Sequence, residues 1–362
     1  MRFSLWSPME YASEGLPPGW PVPGRNWEPA RGAEAVQRAF GLYDLAVDGG
    51  FDMVTVAEHH YGGSLVPSPT VMAAALAQRY PEVKIGILGP ILPLAQPIRV
   101  AEEIAMVDVL SGGRTVVGFF RGIPNEHLVY GVPTAVTREL FEEALALIVR
   151  AWTEPETFGW EGRYYRFRTI SPMPRPLQQP HPPLVSGATT PEAARFAAAR
   201  GFLLGIFGAV VPPGRAAELV RAFRAAGGSE DVLYRARLYV APTDEEAEVD
   251  VHAYGLGDMR PLIAPAPQRA EGAAKVMAAL FGGGRHGHGP STGHGHGPPA
   301  PPRPEFCGSP VTVLRQLRES SQAIGWEILD GLFTMPHLPH AKARRSLELF
   351  VKEVVPALKS RR

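Results

Sequence analysis

The chain has 362 residues, 45% of them hydrophobic and 20% charged, which is enough to close a sizeable core. Its 36 basic and 36 acidic side chains cancel, so no net field draws it to nucleic acid or to an anionic membrane. The one cysteine, Cys307, excludes an intrachain disulfide framework and a four-cysteine metal site. No apolar run approaches the roughly 20 residues of a membrane helix, and MRFSLWSPME lacks a signal-like apolar stretch. A soluble, cytoplasmic protein is expected.

Phe3 to Trp6 reads as a short opening strand. Residues 12–30 carry Pro, Gly, Trp20 and Trp27 without periodicity and predict a long loop. Val36, Phe40 and Tyr43 then recur at helical spacing, predicting a helix over 33–48 that stops at Gly49-Gly50. Residues 51–57 form an apolar, partly β-branched strand that ends in Glu58-His59-His60. The pattern repeats with a helix at 69–79, a strand at 83–92, a helix at 96–110 and a strand at 115–120. Residues 137–152 place Leu140, Ala144, Ile148 and Trp152 on one helical side. Strands follow at 183–186, 202–207 and 233–241, with helices at 191–200, 214–226 and 310–323. A strand at 328–335 and a helix at 342–355 complete the pattern.

Strands alternating with helices in this way imply parallel pairing through right-handed crossovers. About eight such units predict one domain, a closed (β/α)8 TIM barrel with a long first βα loop. The competing fold is a doubly wound sheet, but no strand–GxGxxG–helix fingerprint and no GxxxxGK[ST] loop occurs. One segment breaks the alternation. Residues 282–304, GGGRHGHGPSTGHGHGPPAPPRP, are too poor in apolar residues to pack and predict a flexible insertion. Its His286, His288, His294 and His296 leave open a metal-binding tract or a mobile cover over the barrel mouth.

Glu58, His59, His60 and Arg121 fall at C-terminal strand ends, where barrels collect their chemistry. Consecutive histidines on an extended chain point apart, so one can face a pocket while the other ties down its loop. Imidazole suits a base or a stabiliser of an oxygen intermediate. His127, His181 and His337 make no recognisable zinc spacing with this pair. Arg121 fits either a fork for phosphate or a pair with Glu126 or Glu139. Gly187-Ala188-Thr189-Thr190-Pro191-Glu192 leads into a helix whose free N–H groups suit an anion, although ordinary capping by Thr190 accounts for the same residues. No Gly-x-Ser-x-Gly elbow exists, whereas the scattered acids Glu58, Asp108 and Glu126, whose separations the sequence does not give, leave a carboxylate-pair hydrolase open.

Several stretches together resemble the bacterial luciferase-like family of flavin-dependent monooxygenases and oxidoreductases. They are GFDMVTVAEHHY (50–61), KIGILGPILPLAQPIRVAEEIAMVDVLSGGR (84–114), GFFRG (118–122), FEEALALIVRAWTEPETFGWEGRYYRF (141–167), PRPLQQPHPPLVSG (174–187), YVAPTDEEA (239–247) and GSPVTVLRQL (308–317). The resemblance implies a barrel, usually dimeric, that binds FMN at its mouth. The reduced flavin comes from a separate NAD(P)H-dependent reductase and reacts with dioxygen through a C4a-peroxyflavin to oxidise a small organic substrate. His59 matches the catalytic histidine, and Glu58 beside it is expected to contact the cofactor. Arg121, Thr189 and Thr190 match the phosphate contacts, and Leu88-Gly89 matches a non-prolyl cis peptide beneath the flavin ring. Trp6, Phe119 and His60 are expected to line the substrate pocket. Ala193 departs from relatives that carry a hydroxyl there. A deazaflavin-dependent oxidoreductase and a non-catalytic flavin-binding homologue are the alternatives on the same barrel.

Overall fold

A computed structural model of the chain describes residues 1–11, 16, 19–258 and 302–359. The first strand, β1 (Arg2–Trp6), is followed by helix α1 (Pro29–Asp48), β2 (Met53–Val56), α2 (Pro69–Arg79), β3 (Lys84–Ile91), α3 (Pro97–Ser111) and β4 (Thr115–Phe120). Next come a short α4 (Pro124–Val129), α5 (Thr137–Thr153), a hairpin of β5 (Phe158–Glu161) and β6 (Arg166–Ile170), then β7 (Leu184–Gly187) and α6 (Pro191–Ala199). They lead to β8 (Leu203–Phe207), α7 (Pro213–Ala225), β9 (Val232–Val240) and α8 (Asp244–Tyr254). Beyond residue 301 lie β10 (Phe306–Gly308), α9 (Pro310–Ile324), β11 (Ile328–Leu332) and α10 (His340–Leu349), which continues through a π-helical turn into α11 (Val355–Lys359).

The ladder runs β9-β11-β1-β2-β3-β4-β7-β8, and β8 pairs back onto β9 to close eight parallel strands into the expected barrel. β9 is long enough to pair with β11 through Leu233–Arg237 and then with β10 through Leu238–Val240. Strand alternation divides the core into two layers. Met53, Leu88, Val116, Val185, Leu233 and Ile328 form one cluster within the barrel. Phe3, Leu5, Val54, Ile85, Val117 and Phe119 belong to the larger cluster between strands and helices. There α1 contributes Ala35, Ala39, Leu42, Tyr43 and Ala46, and α5 contributes Ala144, Leu147, Ile148 and Trp152. Two polar tips in this layer are satisfied: the Tyr43 hydroxyl donates to the Thr55 carbonyl at 2.8 Å and the Trp152 indole N–H to that of Ala101 at 3.0 Å.

Several boundaries differ from expectation. The first helix begins at Pro29, not residue 33, because proline suits a helix's first turn. The β5–β6 hairpin, α4 and α8 were not anticipated, since their short, mixed polar sequences carry little periodicity. The last helix passes residue 355 and reaches Lys359. The Gly/His-rich insertion expected at 282–304 lies outside the described residues as far as 301, as do residues 12–15 and 17–18 of the first loop. Among the described residues, no helix is long and apolar enough to cross a membrane.

Candidate active site

The two histidines after β2 diverge as an extended chain requires. His60 is buried, its Nε2 lies 2.8 Å from Glu58 Oε1, and the Trp20 indole donates to its carbonyl at 2.8 Å. Glu58 Oε2 accepts the Ile91 N–H at 2.9 Å, so this carboxylate joins the ends of β2 and β3. The Tyr130 ring closes edge-on over His60 at 5.1 Å. Glu58 and His60 thus build the loop.

His59 points the other way. Its side chain is 40% exposed, while its Nδ1 lies 2.8 Å from Oε1 of Glu126, a carboxylate only 4% exposed. Glu126 Oε2 accepts the Ile123 N–H at 2.8 Å, which fixes the carboxylate. A carboxylate at Nδ1 holds the imidazole in one orientation and tautomer, and leaves Nε2 without a partner among the described residues. Trp6, at the end of β1, stands with its ring 6.3 Å from that of His59.

Arg121 follows β4 directly. Its guanidinium is exposed and has no hydrogen bond or ion pair among the described residues, because Glu126 serves His59 and Glu139 serves Arg163 and Tyr164. Its carbonyl, in contrast, is held by His127 Nε2 at 2.8 Å. Gly122 takes φ 79°, and a Cβ there would come within 2.7 Å of Ile91 and 3.1 Å of Glu126, so this turn demands glycine. The neighbouring strand β7, in register through Phe119 and Ser186, delivers Thr189 and Thr190. Both are exposed, and the Thr190 hydroxyl caps α6 by accepting the Ala193 N–H at 3.3 Å. In the same turn, Glu192 is held below the usual carboxylate range by its own N–H and by Thr190.

Between these two groups lies the Leu88–Gly89 peptide, which is cis, the isomer the resemblance implies. A Cβ on Gly89 would sit 1.5 Å from the Gly118 carbonyl oxygen, so no other residue fits. The Leu88 carbonyl accepts a 3.4 Å bond from Nη1 of Arg235. This arginine is 7% exposed. It donates from Nε to Asp330 at 2.6 Å, and the Thr55 hydroxyl donates to the other oxygen of Asp330 at 2.8 Å. Its guanidinium lies over the Trp6 ring at 4.3 Å and the Phe207 ring at 5.2 Å.

Phe119 is a correction. It stacks on Trp152 at 6.3 Å in the outer layer and is 5% exposed, so it cannot line the mouth. Alternation places its neighbour Phe120 inside, edge-on to Phe207 at 5.5 Å. The Arg235–Asp330–Thr55 group was missed altogether. Its signal was present, since a charged residue within VLYRARLYV or ILDGL, strands buried on both faces, requires a buried partner.

The closed (β/α)8 barrel thus gathers a carboxylate-held histidine, an exposed arginine and a capped helix start at its C-terminal strand ends, the end at which barrels of this class carry their active sites. The family model described as Luciferase-like monooxygenase matches residues 1–319, and the chain belongs to that family. Among curated relatives, the oxygenase component of flavin-dependent trigonelline monooxygenase from Acinetobacter baylyi is 27% identical over 58% of this chain and 60% of its own. The alkanal monooxygenase beta chain of Photorhabdus laumondii is 30% identical over 42% of this chain and 48% of its own. The matched stretch therefore spans about half the length of these relatives. Solved structures match over the full length. A monooxygenase from Streptomyces bottropensis has TM-score 0.76 at 21% identity, covering 99% of this chain and 100% of that one. An F420-dependent secondary alcohol dehydrogenase has TM-score 0.69 at 16% identity, covering 99% of each chain.

Proposed function

We propose that this chain is the oxygenase of a two-component system, which takes reduced FMN from an NAD(P)H-dependent flavin reductase and uses dioxygen to oxidise a small organic substrate. The observation that carries the proposal is the free, exposed Arg121 guanidinium on the strand beside the Thr189–Thr190 helix start. The Arg121 guanidinium has all of its donors available for a phosphate. At the α6 terminus Arg195 is paired with Glu192 and Arg215 with Glu218, so Arg121 would supply the positive charge not already bound to a carboxylate for the FMN phosphate. The Leu88–Gly89 segment would lie beneath the ring system, with Trp6 and Phe120 as apolar walls.

When bound, the reduced flavin supplies the electrons that activate dioxygen. The protein's own part is to orient and shield. His59, held through Nδ1 by Glu126, keeps Nε2 available to donate or accept a proton next to the reacting oxygen. The aromatic mouth excludes water, which otherwise promotes wasteful loss of hydrogen peroxide. The trigonelline relative is named as an oxygenase component, which supports supply of electrons by a partner. We also propose a homodimer, supported by the apolar side chains Val71 of α2 and Met106, Val109 and Leu110 of α3 left exposed on adjacent outer helices; light scattering tests it.

The experiment is FMN titration of wild type and Arg121→Ala. A charged hydrogen bond removed from a phosphate is expected to weaken binding at least about tenfold. Equal affinities would remove Arg121 from the site. The F420-dependent neighbour favours a second reading, a deazaflavin-dependent oxidoreductase, and this predicts turnover with reduced deazaflavin without oxygen uptake.

A further inference from the structure

Buried polar side-chain atoms without a hydrogen-bond partner are few among the described residues, and most of them share one place. Of Ser4 Oγ, Trp6 Nε1, Asn26 Oδ1, Arg224 Nε, Arg235 Nη2 and Thr334 Oγ1, four belong to the adjoining strands β9, β11 and β1 or the residues just after them. Register puts them on one wall. Ser4 pairs with Asp330, and Asp330 pairs with Arg235, whose side chains meet inside the barrel. Trp6 lies two residues beyond Ser4 and touches the Arg235 guanidinium. Thr334 lies four residues beyond Asp330, and its neighbour Phe333 packs outward on Phe350 at 5.2 Å, so Thr334 turns inward.

Native proteins pair the large majority of such groups, and a cluster of them at one place points to a bound molecule or ordered water that completes them. The hydrogen-bonding character of this wall is one-sided. Trp6 Nε1 and Arg235 Nη2 can only donate, and the two hydroxyls can donate. The nearby carboxylates are engaged elsewhere: Asp330 accepts from Arg235 and Thr55, and Glu126 serves His59 and Ile123. The wall is also opposite the proposed phosphate group, which depends on β4 and β7, halfway round the strand order.

We propose that the β9–β11–β1 wall is the substrate-recognition subsite and that it takes a carboxylate, whose two oxygens accept from Arg235, Trp6 and the Thr334 hydroxyl. The assignment deepens the flavin monooxygenase reading and rests on it for the identity of the ligand as substrate. Trp6 and Phe207 flank the guanidinium, so a carboxylate on a flat ring fits better than one on a bulky aliphatic group. These atoms are closed to solvent, so entry requires the half-buried Trp6 ring to turn aside.

The test is calorimetric titration of the full-length protein with benzoate and with methyl benzoate, beside a separate FMN titration of each variant. Benzoate is expected to bind saturably and at least tenfold more tightly than its ester. Trp6→Phe, which keeps the ring but removes the N–H, and Thr334→Val, which keeps the shape but removes the hydroxyl, should each weaken benzoate at least threefold. Arg235→Lys retains a charge for Asp330 and should weaken it further. Benzoate bound no better than its ester, or variants that leave benzoate unchanged, would overturn the proposal. Variants that weaken FMN rather than benzoate would also overturn it, by giving the wall to the cofactor. Failure of FMN to bind wild type, with benzoate behaving as expected, would instead count against the flavin reading alone.

Discussion

Asp330→Leu is the sharpest test of how the barrel interior is held. Asp330 has no exposure, and its two oxygens accept from Arg235 Nε at 2.6 Å and the Thr55 hydroxyl at 2.8 Å. Leucine fills similar space, so the change removes charge without opening a large cavity. Arg235, 7% exposed, is then a buried cation left with a 3.4 Å hydrogen bond to the Leu88 carbonyl and the faces of the Trp6 and Phe207 rings. Breaking a buried pair from one side costs about 3–5 kcal/mol, mostly the penalty of the stranded charge. Thr55 loses less, because its hydroxyl also reaches the Leu5 carbonyl at 3.3 Å. The expected loss is therefore about 4 kcal/mol, a large part of the roughly 5–15 kcal/mol that stabilises a typical domain. Asp330→Leu combined with Arg235→Met should recover most of it, since apolar replacement of a whole buried pair is often neutral. Urea unfolding followed by far-ultraviolet circular dichroism and tryptophan emission reads both variants. A single variant within about 1 kcal/mol of wild type, or a double variant no better than the single, would refute this reasoning.

Burial pushes the Glu10 carboxyl up to about 7, and it has no hydrogen bond or ion pair among the described residues. The unfolded chain releases this proton first, so stability falls as pH rises from about 4.5 to 7 and then levels off. Glu10→Gln should therefore stabilise the protein at pH 8, by at most about 3 kcal/mol and less for the solvent contact it keeps, yet change little near pH 4.5. Equal increments at both pH values in thermal melts would contradict this. Gly89→Ala would place a methyl 1.5 Å from the Gly118 oxygen, so loss of soluble folded protein or of FMN binding is expected in expression and titration trials. A variant that folds and binds as wild type would show that β3 can shift. His59→Ala should retain FMN affinity but alter the reaction of reduced flavin with oxygen, and superimposable stopped-flow traces would exclude His59 from the chemistry.

Where periodicity was strong, sequence and structure agree closely: the helix at 69–79 and the strand at 115–120 match to the residue. Such segments carry their own packing pattern, whether alternating or 3.6-fold. The β5–β6 hairpin does not, because its burial comes from docking beside α5 through Glu143, which accepts from Trp160 and the N–H groups of Tyr164 and Tyr165. The candidate site was legible where a polar residue ended an apolar strand, as at His59 and Arg121. It was obscure where a charge lay inside one. Arg235 and Asp330 are 95 residues apart, and only closure of the barrel shows that they meet. Phe119 and Phe120 are equally apolar as letters. Which of them faces inward depends on strand phase, and a resemblance between motifs does not report that.

The central claim is that this barrel holds reduced FMN and turns it toward oxygen. Anaerobic titration with reduced FMN, followed by rapid mixing with oxygenated buffer under absorbance detection, tests it most directly. Saturable binding, then a transient spectrum distinct from reduced and oxidised flavin before full reoxidation, is the predicted result. Failure to bind reduced FMN, or binding followed by reoxidation indistinguishable from that of free flavin, would contradict the claim.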